Sequence, residues 1–196
     1  MIGLTKKEQE ALLMLYKDFT NFHNANSLSK KIGITQVGAM KLLKKLEKQN
    51  ILSSKKIGKS IVYKLNIKEE LVRKLIGFAL TNEASSYERW IDEFKPLYKK
   101  GMIILFYGSA SRDYAQARDI DIMIILKKEG TSDVYEKLRE KQKILQKKIH
   151  SIEAAKDEFI RNLKENNKAI LEIVRTAIVL YGYDDYMEIL DDFTSF

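Results

Sequence analysis

Two apolar runs joined by a short polar segment, with a pair of aspartates at the mouth of the second run, constrain this chain more than any other feature. Residues 107–121 read Tyr-Gly-Ser-Ala-Ser-Arg-Asp-Tyr-Ala-Gln-Ala-Arg-Asp-Ile-Asp. The run 102–107 is strand-like and ends in Gly108-Ser109. After nine intervening residues, Asp119 and Asp121 bracket Ile120, and an apolar run over 122–126 continues as a second strand. Side chains two apart on a strand share a face, so the two carboxylates stand side by side. Hard divalent cations take oxygen ligands of this kind, with substrate phosphates completing the shell. Gly108 lets backbone come close to a phosphate. Ser109 is placed to cap a following helix, whose N-terminus would favour an anion. Two acids on one face of an otherwise apolar strand are costly unless something compensates them. The bland alternative is a strand edge carrying two solvated acids.

With this spacing the stretch resembles the nucleotidyltransferase superfamily related to DNA polymerase beta, and within it the minimal nucleotidyltransferases of prokaryotes. Arg112, Ala115, Glu158-Phe159 and Ile178-Val179-Leu180-Tyr181-Gly182 suit the same branch, so the resemblance covers residues 100–183. It implies in-line attack by a hydroxyl on the α-phosphate of a nucleoside triphosphate, with pyrophosphate leaving. Mg²⁺ or Mn²⁺ would clamp the attacking and leaving oxygens. On this resemblance Asp119 and Asp121 hold the metal, while Gly108, Ser109 and Arg112 hold the triphosphate; Arg118 is an alternative source of positive charge. Active members add a third carboxylate on a later strand. Here a helix over 133–148 leads into Ile149-His150-Ser151-Ile152-Glu153-Ala154. Glu153 is the nearest acid, late by a residue or two, with His150 as the other candidate. Stand-alone members of the branch work as antitoxins that modify a small helical HEPN-type toxin with AMP, so such a partner is an implied expectation.

The N-terminal third has a different pattern. Thr5 with Glu8 makes a capping box, and Leu12, Leu13, Leu15, Tyr16 and Phe19 recur at helical spacing. Ser27 is the expected cap of a second helix ending at Gly33, and Thr35 of a third reaching about Gln49. The expected inward positions of that third helix are Val37, Met40, Leu43 and Leu46, or close neighbours of these. Two β runs around Gly58 complete a hairpin. Three helices and a hairpin over residues 4–65 resemble a winged helix-turn-helix domain of the MarR/ArsR type. The resemblance implies binding to double-stranded DNA. Its third helix enters the major groove, presenting Thr35, Gln36, Gly38 and Ala39 to the bases and Lys41, Lys44 and Lys45 to phosphates. Lys55, Lys56 and Lys59 line the wing. His23 reads as an ordinary loop residue.

Charge agrees with this division. Residues 1–65 hold 13 Lys/Arg against 4 Asp/Glu, whereas residues 66–196 hold 22 against 23. Such asymmetry suits a nucleic-acid-binding module attached to something else; lysine-rich solubility is the plainer explanation. With no Cys, disulfides, thiolate zinc sites and cysteine nucleophiles are excluded. Apolar runs far shorter than the roughly 20 residues of a membrane span, and the lack of a signal-peptide core, make a cytoplasmic, non-membrane protein the expectation. A helix over 67–80, a polar break over 81–86 and a second helix over 87–98 ended by Pro96 form the connector, or else a dimer interface. The expected fold is therefore α+β. It has a winged helix at 1–65, a helical connector at 66–99 and a nucleotidyltransferase-like α/β domain with a small mixed sheet at 100–196. The leading functional reading is a DNA-binding nucleotidyltransferase-like protein, antitoxin-like, that transfers a nucleotide to a protein or small-molecule hydroxyl. The alternative is a non-enzymatic winged-helix transcriptional regulator whose second domain senses nucleotide or dimerises.

Overall fold

A computed structural model of the chain describes residues 3–126 and 132–194. They form an α+β protein in two compact units. One unit runs to Ala79 and takes in the segment from Met187 onward; the other is Leu80–Tyr186.

In the first unit, α1 (Lys6–Lys17), α2 (Ala25–Ile32) and α3 (Gln36–Lys48) precede the antiparallel hairpin β1 (Leu52–Ile57) and β2 (Ser60–Leu65). This is the element order of a winged helix. The expected Thr5–Glu8 capping box opens α1. The cap of α2 differs from the expectation. Asn24 is the N-cap, and Ser27 sits at the third helical position. Ser27 Oγ accepts from Asn24 N at 2.9 Å, while Ser27 N donates to Asn24 Oδ1 at 3.0 Å. Both residues have a capping side chain, and the pair is reciprocal. Gly33 then closes α2 in the left-handed conformation, and Thr35 caps α3. The hairpin turns through Gly58, which has φ +59°.

Leu12, Tyr16, Leu28, Leu43, Leu46 and Ile51 fill the core. The C-terminal segment belongs to it as well. The Tyr16 hydroxyl donates to Asp191 at 2.9 Å, Arg73 pairs with the same carboxylate at 2.8 Å, and Phe19 packs on Phe193. His23 is a buried latch rather than a loop residue. Its Nε2 lies 3.1 Å from the Asp18 carboxylate, and its carbonyl accepts from Tyr63 N in β2.

Helix α4 (Glu70–Ser85) continues into the stretch expected to break at 81–86, and the break comes only as a turn at residues 86–87. The buried Ala79, Leu80 and Ala84 carry its apolar stripe onward. α5 (Glu88–Phe94) follows, then a 3₁₀ turn that contains Pro96.

The second unit is built on one mixed sheet, the small mixed sheet expected. Its strands are β3 (Ile103–Tyr107), β4 (Asp119–Leu126), β5 (Lys148–Ala155) and β6 (Ile178–Tyr181), in the order β5-β4-β3-β6. β4 and β5 are parallel; β3 is antiparallel to both of its neighbours. A parallel pair needs a crossover, and α6 (Ser132–Ile144) supplies it. Helices α7 (Lys156–Lys164), α8 (Lys168–Thr176) and α9 (Tyr183–Asp191) complete the described chain. One face of the sheet, with Phe106, Ile120, Ile122 and Ile124, packs into a cluster with Trp90, Phe94, Val134 and Leu138. Trp90 is a core residue, tilted against Phe106 with ring centroids 4.8 Å apart.

Candidate functional site

The carboxylate pair is placed by strand pairing. In the β3–β4 ladder Tyr107 stands opposite Asp121, and the chain leaves β3 at Gly108 with φ +76°. A Cβ on Gly108 would lie 2.1 Å from Asp121 Oδ2, so only glycine lets backbone approach this carboxylate so closely. In the parallel β4–β5 ladder Asp119 is opposite Lys148 and Asp121 is opposite His150. His150 Nδ1 is 3.8 Å from Asp119 Oδ2 and 3.8 Å from Asp121 Oδ1.

The electrostatics follow from this crowding. Burial raises the Asp121 pKa above its ordinary value; His150 opposes the rise and Asp119 adds to it. Tyr107, at the edge of the site, is pushed up to about 12 by burial and by the Asp121 charge. Two oxygen-donor side chains in this state suit a hard divalent cation whose remaining ligands come from a bound molecule. Among the described residues, no group of three or more His, Cys, Asp or Glu is arranged to hold a metal unaided.

Glu153 does not join this site. It pairs with Ile124, and side chains alternate along a strand, so it lies on the opposite sheet face from Asp119 and Asp121. Its Oε1 is buried and has no hydrogen-bond partner among the described residues. The place expected for a third carboxylate beside the pair is held by His150. The helix expected after Ser109 is also absent: residues 109–116 form turns. Asp113 Oδ1 accepts from Ala115 N at 3.0 Å, a local bond that competes with helix formation. The Lys147 ammonium donates to the carbonyls of Tyr114, Ala115 and Ala117. Ser109 and Arg112 are exposed on this loop, and the Ser109 carbonyl accepts from Arg112 N and Asp113 N. They lie on the segment leading out of the site, while Gly108 lies against Asp121.

The second candidate surface is α3 with the hairpin. Thr35, Gln36, Lys41 and Lys44 are exposed, as are Lys55, Lys56 and Lys59 on the hairpin. Val37 and Met40, expected inside, face out at 58% and 42% exposure, and Ala39, expected at the bases, is buried and takes the inward position with Leu43 and Leu46. Lys45 is committed elsewhere. Its ammonium lies 2.6 Å from Glu8 Oε1, tying α3 to α1. Burial pushes Glu8 upward, but the bonds from Lys45 and Thr5 outweigh it and leave its carboxyl below the ordinary range.

No protein-family model matches the chain, and no curated protein matches it. Among solved structures, the adhesin competence repressor AdcR from Streptococcus pyogenes overlaps 47% of this chain and 66% of its own length, at 19% identity and a TM-score of 0.38. A cysteine-to-serine mutant of ZitR from Lactococcus lactis overlaps 51% of this chain and 66% of its own, at 16% identity and a TM-score of 0.39. The chain thus spans just under two thirds of the structures it overlaps, and at these TM-scores the overlap carries no argument about function. The winged-helix arrangement rests on the chain's own elements, α1 to β2.

Proposed function

We propose that this protein is a DNA-binding regulator of the winged-helix type, with a nucleotidyltransferase-like second unit that senses a nucleotide or dimerises. The observation that carries the reading is the outward face of α3, where Gln36, Lys41 and Lys44 are exposed in a module whose lysines far outnumber its acids. Phosphate neutralisation by such lysines supplies affinity and makes it salt-dependent. The second unit supports a non-catalytic role because a histidine stands beside the aspartate pair and the nearest acid, Glu153, faces away.

The test is fluorescence anisotropy of a labelled duplex against salt concentration. Lys41→Gln with Lys44→Gln should weaken binding and lower the slope of log affinity on log salt by about 1 for each phosphate no longer neutralised. Unchanged affinity and slope would remove α3 from DNA.

One observation favours a second reading, Mg²⁺- or Mn²⁺-dependent nucleotidyl transfer: the close approach of the Gly108 backbone to Asp121. In that reading Asp119 and Asp121 hold the metal, which would neutralise charge developing on the phosphates. Gly108, Ser109 and Arg112 line the triphosphate path, and a protein hydroxyl, such as one on a HEPN-type toxin, is the acceptor. Calorimetric titration with ATP and Mg²⁺ tests it. Asp119→Asn with Asp121→Asn should abolish metal-dependent binding; equal affinity in the double mutant would sink the site.

A further inference from the structure

The outward face of α3 is graded along its length. Its first turns present Thr35, Gln36, Val37 and Met40, and charge begins only at Lys41 and continues at Lys44 and Lys48. At 1.5 Å per residue, Lys44 lies about 12 Å along the axis from Gln36, too far to share its base pair. Thr35 has its hydroxyl engaged as the cap, accepting from Gly38 N at 3.1 Å. Beside the Thr35 O–H, the uncharged end therefore offers one amide side chain, Gln36, and two exposed apolar side chains.

That set matches one kind of base pair. Gln bonds in bidentate fashion to adenine N6 and N7, and apolar side chains pack on the thymine methyl group. Guanine is read by Arg or Lys; residues 1–65 contain no Arg, and the first Lys on α3 is Lys41, about 7.5 Å along the axis from Gln36, so the leading turns carry no guanine reader. Val37 and Met40 are one helical turn apart, so both sit on the stripe that leads into the lysines. Water is a poor environment for two adjacent apolar side chains on a helix whose inner positions are already filled by Ala39, Leu43 and Leu46.

We infer that the first two turns of α3 read A·T base pairs in the major groove, with Val37 and Met40 packing on thymine methyl groups and Gln36 bonding to adenine. The inference rests on the DNA-binding reading above and adds to it the class of sequence preferred. The lysines that follow set position on the phosphates and leave base choice to the uncharged end.

The experiment uses the full chain. A pool of random-sequence duplexes is passed over the protein, the retained fraction is sequenced, and the best duplex is remade with deoxyuridine in place of thymidine. That change deletes only the methyl groups. The expected result is A·T enrichment and a loss of roughly fourfold in affinity per contacted methyl, the effect of one methyl-sized apolar group returning to water. Val37→Ser with Met40→Gln should bring the thymidine-to-deoxyuridine ratio close to one, and Gln36→Ala should relax the choice at one adenine. All three sites are exposed, and the circular dichroism melt should not move.

Salt-dependent retention with no methyl effect, or enrichment of G·C sequences, overturns the inference and leaves DNA binding standing. Retention of no duplex overturns both. If the double variant changes the sedimentation of the free protein while the thymidine-to-deoxyuridine ratio of the parent is already one, the apolar pair is a protein–protein contact and the inference fails.

Discussion

Glu8 and Asp121 are carboxylates drawn out of water, one in each unit, and their surroundings treat them in opposite ways. Glu8 is 4% exposed. It accepts from Thr5 N at 2.8 Å, from the Thr5 hydroxyl at 3.0 Å and from Lys45 at 2.6 Å. Burial pushes its titration upward, and these donors more than reverse the push. Asp121 is also pushed upward by burial. His150 opposes the rise from 3.8 Å away, Asp119 adds to it, and the net direction is up. A carboxylate with its donors built in joins two helices. At Asp121 the surroundings do not offset burial, so its ionised form is disfavoured. Glu8 in the first unit is thus compensated by its neighbours, whereas Asp121 in the second, paired with Tyr107 at the end of β3, is not.

The left-handed glycines sharpen this contrast and give the largest expected effect. Gly33 and Gly108 have φ of +65° and +76°, but a Cβ at Gly33 meets nothing within 4 Å, whereas one at Gly108 meets Asp121 Oδ2 at 2.1 Å and Cγ at 2.9 Å. Gly33→Ala should cost about 1 kcal/mol, the strain of the backbone alone. Gly108→Ala should cost about 3 kcal/mol, because overlap with the carboxylate is added to the same strain. Denaturant unfolding measures both, with Trp90 fluorescence reporting on the second unit. In an Asp121→Ala background the Gly108 cost should fall toward that of Gly33. Equal costs in the two backgrounds would mean that the carboxylate swings aside freely and that the close approach is not specified.

Glu8→Gln is the next effect in size, about 1–2 kcal/mol at neutral pH, from weakened charge-assisted bonds to Lys45 and Thr5. The folded pKa of Glu8 lies below its ordinary value, so its stabilisation is present above that value and is lost as pH falls through the folded one. The gap between wild type and Glu8→Gln should therefore close on acidification. Thermal melts across the acid range check this; a gap that stays constant would assign the loss to packing instead. Lys45→Met should show a smaller loss with the same pH trend, since the Lys45 side chain is half exposed.

Local chemistry is legible in the sequence, and pairing between distant segments is not. Thr5, Gly33 and Thr35 act within a few residues of themselves, so their capping roles can be read directly. Asn24 and Ser27 are easily exchanged as caps, because a reciprocal box looks alike from either end. Apolar character alone puts Val37 and Met40 inside; the small Ala39 sets the helical phase instead. Asp119 and Asp121 share a face by strand alternation alone. Which residue of 148–155 comes to stand beside them depends on the β4–β5 register, fixed by packing across the sheet. Alternation does show that His150 and Glu153, three apart, take opposite faces, so only one of them can meet the pair. The Lys147 anchor on the 114–117 carbonyls spans some thirty residues and carries no local signature.

The smallest expected effect has the opposite sign to the others and is the sharpest test of the contrast between the two acids. Asp121→Asn should stabilise the protein at neutral pH, by less than about 1 kcal/mol because the carboxyl keeps some contact with water. The folded pKa of Asp121 lies above its ordinary value, so the ionised wild-type group weakens the fold at pH above the folded pKa. As pH falls below the ordinary value both forms are neutral and the gain from Asn disappears. Glu8→Gln and Asp121→Asn should therefore both converge on wild type in acid, one from below and the other from above. A divalent cation bound by the aspartate pair would invert the second result, since a ligand that binds only the folded state adds stability to wild type and not to the variant. Trp90-detected melts of both proteins, with and without Mg²⁺, separate the outcomes. Stabilisation by Asn without metal, reversed when metal is added, is what an acid held for a ligand must show. Destabilisation by Asn in both conditions would place Asp121 with Glu8 among the acids that hold the fold together.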